Sequence, residues 1–163
     1  MCLFTNQEKP KVCKTPIRCM KIVRRRLGGG YEPCFYRIFG DVYRLGEIVQ
    51  LVTPNIFDDV HDFGEFVYSG ENIKVQTGFH TYTYGNGNIV KVLEVMKNEG
   101  EGELVVLECE IPKGALYYEG HCNVHYHHNE KGLLSETGYC SDRLRVIREV
   151  PLSEVENICG SAI

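Results

Sequence analysis

The densest apolar run in the chain is Leu104-Val105-Val106-Leu107-Glu108-Cys109-Glu110-Ile111, which is rich in β-branched residues. Glycines before it and the turn Pro112-Lys113-Gly114 after it mark it as a strand rather than a helix. Residues 17–26 read as a second strand, closed by the turn Gly28-Gly29-Gly30. Extended segments follow at residues 33–39 and 41–52, the second with Gly46 as its expected bulge. Residues 54–69 mix Asp, Gly and aromatics and read as a long loop with one short helical turn. A short strand at residues 73–77 leads into Gly78-Phe79-His80-Thr81-Tyr82-Thr83-Tyr84.

Helical spacing surfaces twice. After an Asn86-Gly87 turn, Asn88 can cap a helix over residues 89–97, with Ile89, Val90, Leu93 and Met96 on one face. Near the end, Ser153 and Glu156 have the spacing of a capping box opening a short final helix. The predicted fold is α+β: a single domain over residues 17–163, a bent, mostly antiparallel sheet with one or two short helices. Residues 1–16, with Pro10, Pro16 and scattered lysines, read as an N-terminal arm that packs loosely.

Composition narrows the setting. Hydrophobic residues make up 43% and charged residues 25%, an ordinary globular balance. No apolar run nears the roughly 20 residues of a membrane helix. The first residues lack the basic and apolar regions of a secretory signal. Cys159 is misplaced for prenylation. These features predict a cytoplasmic protein without a membrane partner. The eight cysteines are dispersed, with no Cys-x-x-Cys, and read as reduced, buried small hydrophobes.

A net charge of −4 argues against a nucleic-acid partner. The basic residues are uneven, though: Lys9, Lys11, Lys14, Arg18, Lys21, Arg24, Arg25 and Arg26 crowd the first segment. A local anion site is one reading. A solvated strand edge, whose charges discourage aggregation, is the other.

Several constellations could carry chemistry. His121, Cys122, His125 and, further on, Cys140 offer zinc-type ligands, but without the paired spacing of known sites. The expectation is therefore a solvated polar loop and no metal. His80 and Tyr82 alternate onto one strand face and suit a planar ligand; alternatively, Phe79 is core and His80 bonds a carbonyl. Arg37 and Arg44 lie in aromatic strands and need an anionic partner if buried, either Glu108 or a ligand phosphate. Lys113, Tyr117 and Tyr118 flank the turn after the Glu108 strand. No serine nucleophile elbow, phosphate-loop or dinucleotide glycine fingerprint is present.

Met1-Cys2-Leu3-Phe4, Gly78-Phe79-His80-Thr81-Tyr82, Ile111-Pro112-Lys113-Gly114 with Tyr117-Tyr118, and Tyr139-Cys140-Ser141-Asp142 resemble a diffuse set of small bacteriophage and gut-bacterial proteins. That resemblance implies a mobile-element accessory protein acting in the host cytoplasm. A weaker similarity is to ADP-ribosyltransferases, which order an early arginine, a Ser/Thr strand and a glutamate before a Pro-basic-Gly turn. Arg37 or Arg44, Thr81-Tyr82-Thr83 and Glu108 follow that order. The middle strand lacks Ser-Thr-Ser and residue 106 is Val, departures that favour binding over catalysis.

The expected function is sequestration of a small anionic, nucleotide-like ligand, NAD-derived or a cyclic nucleotide, without a cofactor. Its expected site residues are Arg37, Arg44, His80, Tyr82, Glu108, Lys113, Tyr117 and Tyr118. The alternatives are a transferase-like enzyme using Glu108 and a tyrosine-rich inhibitor that binds a host protein. A homo-oligomer is left open.

Overall fold

The structure is a computed structural model that describes residues 2–34, 42–51, 58–60, 73–75, 78–97, 102–124 and 134–160. In chain order the strands are β1 (Cys2–Thr5), β2 (Lys11–Val12), β3 (Ile17–Arg25), β4 (Tyr31–Pro33), β5 (Ile48–Gln50) and β6 (Asp58–Val60). After β7 (Ile73–Val75) and β8 (Phe79–Thr83) comes helix α1 (Ile89–Met96). The rest are β9 (Leu104–Ile111), β10 (Leu116–Val124), β11 (Leu134–Ser141), β12 (Arg143–Val150) and helix α2 (Leu152–Ile158). All strands join one sheet in the order β5-β12-β9-β3-β8-β11-β10-β1-β7-β6, with β2 on β10 and β4 on β3. Every pairing between these strands is antiparallel. The architecture is therefore a mostly antiparallel sheet with two short helices. Among the described residues no helix is long and apolar enough to cross a membrane.

The near-continuous apolar character of β9 has a direct cause: both faces of the sheet are covered. Val106 packs in a cluster with Met20, Ile22, Tyr82, Tyr118, the α1 residues Ile89, Val92, Leu93 and Met96, and Val155 of α2. Val105, Leu107, Cys109 and Ile111 turn the other way, into a cluster with Cys19, Val23, Tyr31, Tyr43, Phe79 and Leu144. Successive side chains of a strand alternate between faces, so each of the two clusters takes every second residue.

Sheet order and chain connectivity together require the sheet to curl. The sheet order β12-β9-β3-β8-β11 separates β11 from β12 by four strand spacings, roughly 19 Å in a flat sheet. Yet Asp142 alone joins the two strands in the chain, a span of about 7 Å at most. Asp142 is buried and fixes that corner: its N–H donates to the Leu116 carbonyl, its carboxylate accepts from the Leu116 N–H, and its carbonyl accepts from the Leu51 N–H. The sheet thus wraps the Cys19–Leu107–Tyr43 cluster on its inner side and carries both helices on the outer one.

Several local expectations change. The arm is part of the fold, because β1 lies between β10 and β7 and buries Leu3 and Thr5, and Cys13 is buried too. The stretch at 41–52 is not one strand: Tyr43 makes an isolated bridge to Tyr31, Gly46 adopts φ 79° in a turn, and β5 starts at Ile48. β6 occupies part of the expected loop. Asn88 makes no side-chain cap on α1; the Asn86 carboxamide accepts from the Asn88 N–H instead. The Ser153–Glu156 box does not open α2, because Pro151 is the N-cap and Ser153 already lies inside the helix. Proline tolerates that place, since its missing N–H would have no helical partner there.

Candidate functional site

β3 pairs with β9 along its length on one edge, but its other edge forks. Cys19 and Met20 face Thr83 and Tyr82 of β8, whereas Val23, Arg24 and Arg25 face Pro33, Glu32 and Tyr31 of β4. Lys21 and Ile22 lie between the two partners. The Cys34 thiol donates to the Ile22 carbonyl across this gap. Lys21 donates from Nζ to the His80 carbonyl at 2.7 Å and sits 5.4 Å from the centre of the Tyr43 ring.

Lys21 is 8% exposed, and among the described residues it has no carboxylate partner. Burying an ammonium without a counter-charge costs several kcal/mol. Burial lowers its pKa, and coupling to Tyr43 and the Cys109, Cys34 and Cys140 thiols raises it, with a net upward direction; phenols and thiols ordinarily ionise only above neutral pH, so near neutrality they leave the charged Lys21 without a standing counter-charge. Tyr43 meets Phe79 edge to face at 6.2 Å, which gives the inner side of the fork an aromatic wall.

His80 lies on the neighbouring strand with its ring nitrogens 3.1 Å from the Gly78 and Val75 carbonyls. Gly78 makes this approach feasible: its φ is 145°, and a Cβ there would meet the Cys140 sulfur at 2.4 Å. Burial drives the His80 pKa down to about 3, against the upward pull of the Val75 carbonyl and with help from Lys21. The ring is therefore neutral and has one N–H to donate.

Tyr82 and Glu136 share the outer sheet face. Tyr82 is directly opposite Gly138, and Glu136 stands two residues from Gly138 on the same strand. Tyr82 is 1% and Glu136 2% exposed, yet among the described residues the Tyr82 hydroxyl and Glu136 Oε1 have no hydrogen-bond partner. Burial holds the Tyr82 phenol well above its ordinary pKa, with Cys122, Cys34 and Glu136 adding to the effect.

Glu108 is placed very differently. Its Oε1 accepts from Arg18 Nε at 3.0 Å and Nη2 at 2.5 Å, and its Oε2 accepts from Arg148 Nε at 2.7 Å. Arg148 also grips both carboxylate oxygens of Glu154 on α2, at 3.0 and 2.5 Å. The Arg18 guanidinium stacks 4.0 Å from the Tyr84 ring centre. Burial alone would raise the Glu108 pKa, but hydrogen bonds from Arg18 and Arg148 reverse this and hold it below the usual range. Both oxygens are occupied, so this carboxylate pins β3, β9, β12 and α2 together.

The eight expected ligand residues therefore scatter. Tyr118, Cys140 and His80 form one cross-strand row, and Tyr82 lies in the next, so His80, Tyr82 and Tyr118 do come together. All three are buried. Tyr117 points to the opposite face, against Tyr139. Arg44 and Lys113 are exposed on turns, and Glu108 pairs with Arg18 and Arg148 rather than Arg44. Arg37 and His125 lie outside the described residues. His121 and Cys122 belong to β10 rather than to a loop, and as consecutive strand residues they face opposite ways. Among the described residues no group of three or more His, Cys, Asp or Glu could hold a metal ion.

Sequence reasoning did not single out Lys21, Tyr43 or Glu136. One signal was available for Lys21: its neighbours at i−2 and i+2 are Cys19 and Val23, an apolar strand face. No family model, curated protein or solved structure matches the chain.

Proposed function

We propose that this protein binds a small anionic, nucleotide-like ligand at the β3 fork, with the anion on Lys21 and the ring against Tyr43 and Phe79. The buried Lys21 ammonium without a carboxylate partner carries the reading, because a ligand phosphate supplies the missing counter-charge. The resemblance to phage-encoded accessory proteins supports a sequestering role in the host cytoplasm, toward an NAD-derived or cyclic-nucleotide defence signal. Binding without turnover is the favoured mode, since Glu108, the carboxylate a transferase-like reaction would need, is held through both oxygens by arginines.

Titration calorimetry of NAD, ADP-ribose, cyclic AMP and cyclic GMP, on wild type and Lys21→Met, tests the reading. Wild type is expected to bind at least one of these and to release it unchanged. Lys21→Met, which keeps an unbranched apolar stem one atom shorter and removes the charge, is expected to lose roughly 100-fold or more in affinity. Equal binding by both proteins, or binding of none of the four, overturns the proposal.

A further inference from the structure

We propose that the open edge of β5 is the interface of a closed homodimer, in which two copies pair their β5 strands antiparallel about a two-fold axis at Val49. β5 ends the sheet, with β12 as its one neighbour among the described residues. Hydrogen-bond alternation defines its free side. The Val146 N–H donates to the Glu47 carbonyl and the Leu51 N–H donates to the Asp142 carbonyl, both in line with the register that pairs Val49 with Leu144. Adjacent residues of an antiparallel strand direct their backbone groups to opposite sides. Glu47, Val49 and Leu51 therefore face β12, and Ile48 and Gln50 turn their N–H and C=O groups to the open edge.

The two ends of the sheet differ in character. β6, at the far end, is Asp58-Asp59-Val60, and charged residues discourage strand pairing at an edge. Ile48-Val49-Gln50 carries neither a charge nor a proline. Ile48 is 47% exposed, and Leu45 (52%) and Ile147 (40%) flank the hydrogen bond from the Gly46 N–H to the Val146 carbonyl just before β5. Three of the six exposed large hydrophobics among the described residues thus gather at this edge, as at a contact surface, rather than scattering singly.

A second copy fits this edge because the edge is its own complement. The outward-facing residues stand symmetrically about Val49, so an antiparallel copy sets Ile48 opposite Gln50 at one end and Gln50 opposite Ile48 at the other. Each pairing exchanges two backbone hydrogen bonds, which satisfies the outward groups of both strands. No charge meets a like charge in either pairing. One patch serves both copies, so association closes at two. Joining β5 to β6 of another copy would instead run on as an open filament, and the aspartates of β6 disfavour it. The interface does not depend on the Lys21 site.

Sedimentation of the full chain from low to high micromolar concentration tests the interface, with a thermal melt of each variant to establish folding. Wild type is expected to pass from 18.6 kDa to twice that mass. Ile48→Lys, at an exposed position, should fold and raise the dimer dissociation constant at least about tenfold. Adding Gln50→Glu to Ile48→Lys brings opposite charges together at both pairings and should restore the dimer, with a salt dependence that wild type lacks. Hydrogen exchange of wild type gives a second readout without substitution. The Ile48 and Gln50 amides should gain protection as concentration rises, while the Leu51 amide, already bonded to Asp142, should stay as it was. A monomer at every concentration, a dimer that Ile48→Lys leaves intact, no rescue by Gln50→Glu, or a mass that grows beyond two copies overturns the proposal. Protection of Ile48 and Gln50 that is independent of concentration overturns it as well, because the edge would then be covered within one chain.

Discussion

Two charged regions of this molecule sit only a few residues apart along β3 and are built on opposite principles. Around Glu108 every charge is matched: Arg18 and Arg148 share its two oxygens, Arg148 also holds Glu154, and both arginines stay partly in water. Among the described residues, Lys21 at the fork is buried with a single carbonyl for a hydrogen-bond partner, and on the outer face Glu136 Oε1 and the Tyr82 hydroxyl have none. The first arrangement stabilises a fold and has no reason to bind anything. The second costs stability in the free protein, and the proposed ligand would offset that cost by completing the bonds. On the proposed reading, a buried charge points to function where its compensation is missing, not where it is complete.

Acid should separate the two regions most sharply. His80 is held neutral, with its pKa lowered from 6.5 to about 3, so the unfolded chain binds a proton that the folded chain does not. Its contribution is present above pH 6.5 and is lost as pH falls toward 3, at up to about 1.4 kcal/mol per pH unit. The Glu108 contribution has the other window. Its folded pKa lies below the usual 4.5, so its stabilisation holds above that value and is lost only as pH falls further. Denaturant melts from pH 7 to 3 should therefore show a decline that starts near pH 6.5. In His80→Asn the decline should start near pH 4.5 instead. An unchanged profile in that variant would place the early loss elsewhere.

The matched region should break by loss of stability alone. Glu108→Gln leaves Arg18 and Arg148 without their shared partner, but both can turn to solvent, so the expected cost is about 1–3 kcal/mol in chemical denaturation. Ligand affinity should stay within about twofold. A larger fall in affinity than in stability would move Glu108 into the binding site. The smallest effects belong to Arg44→Ala and Lys113→Ala, both on exposed turns. Each should change stability by less than about 0.5 kcal/mol and leave nucleotide binding unaltered in the same titration.

How far the sequence revealed this depends on which physical signal each part used. β3, β9 and α1 were legible because long apolar runs or a helical stripe leave few alternatives. β1 was hidden because four residues carry little periodicity, and its partners, β7 and β10, lie about 70 and 120 residues away. The cap of α2 was misread because spacing alone cannot tell a Ser that precedes a helix from one already in its first turn.

At the site, Gly78, His80 and Tyr82 stood out as a motif, and the structure explains the glycine by the nearby Cys140 sulfur. Lys21 disappeared into a run of basic residues that read equally well as a solvated edge. Period-two counting puts Arg18 and Arg24 on one face and Lys21 on the other, between Cys19 and Val23, but nothing local says which face closes over. Glu136 carried no signal at all, because its burial follows from the neighbouring strands β8 and β10 that flank β11.

The most direct measurement of the central claim is the thermal stability of wild type and Lys21→Met, each with and without saturating nucleotide. If Lys21 is an uncompensated buried cation that awaits an anion, Lys21→Met should melt higher than wild type in the free state, by about 1–3 kcal/mol of added stability. Nucleotide should then raise the melting temperature of wild type and leave the variant unmoved. A variant that melts lower than wild type, and that nucleotide stabilises just as much, would show Lys21 to be a satisfied structural residue and would contradict the account.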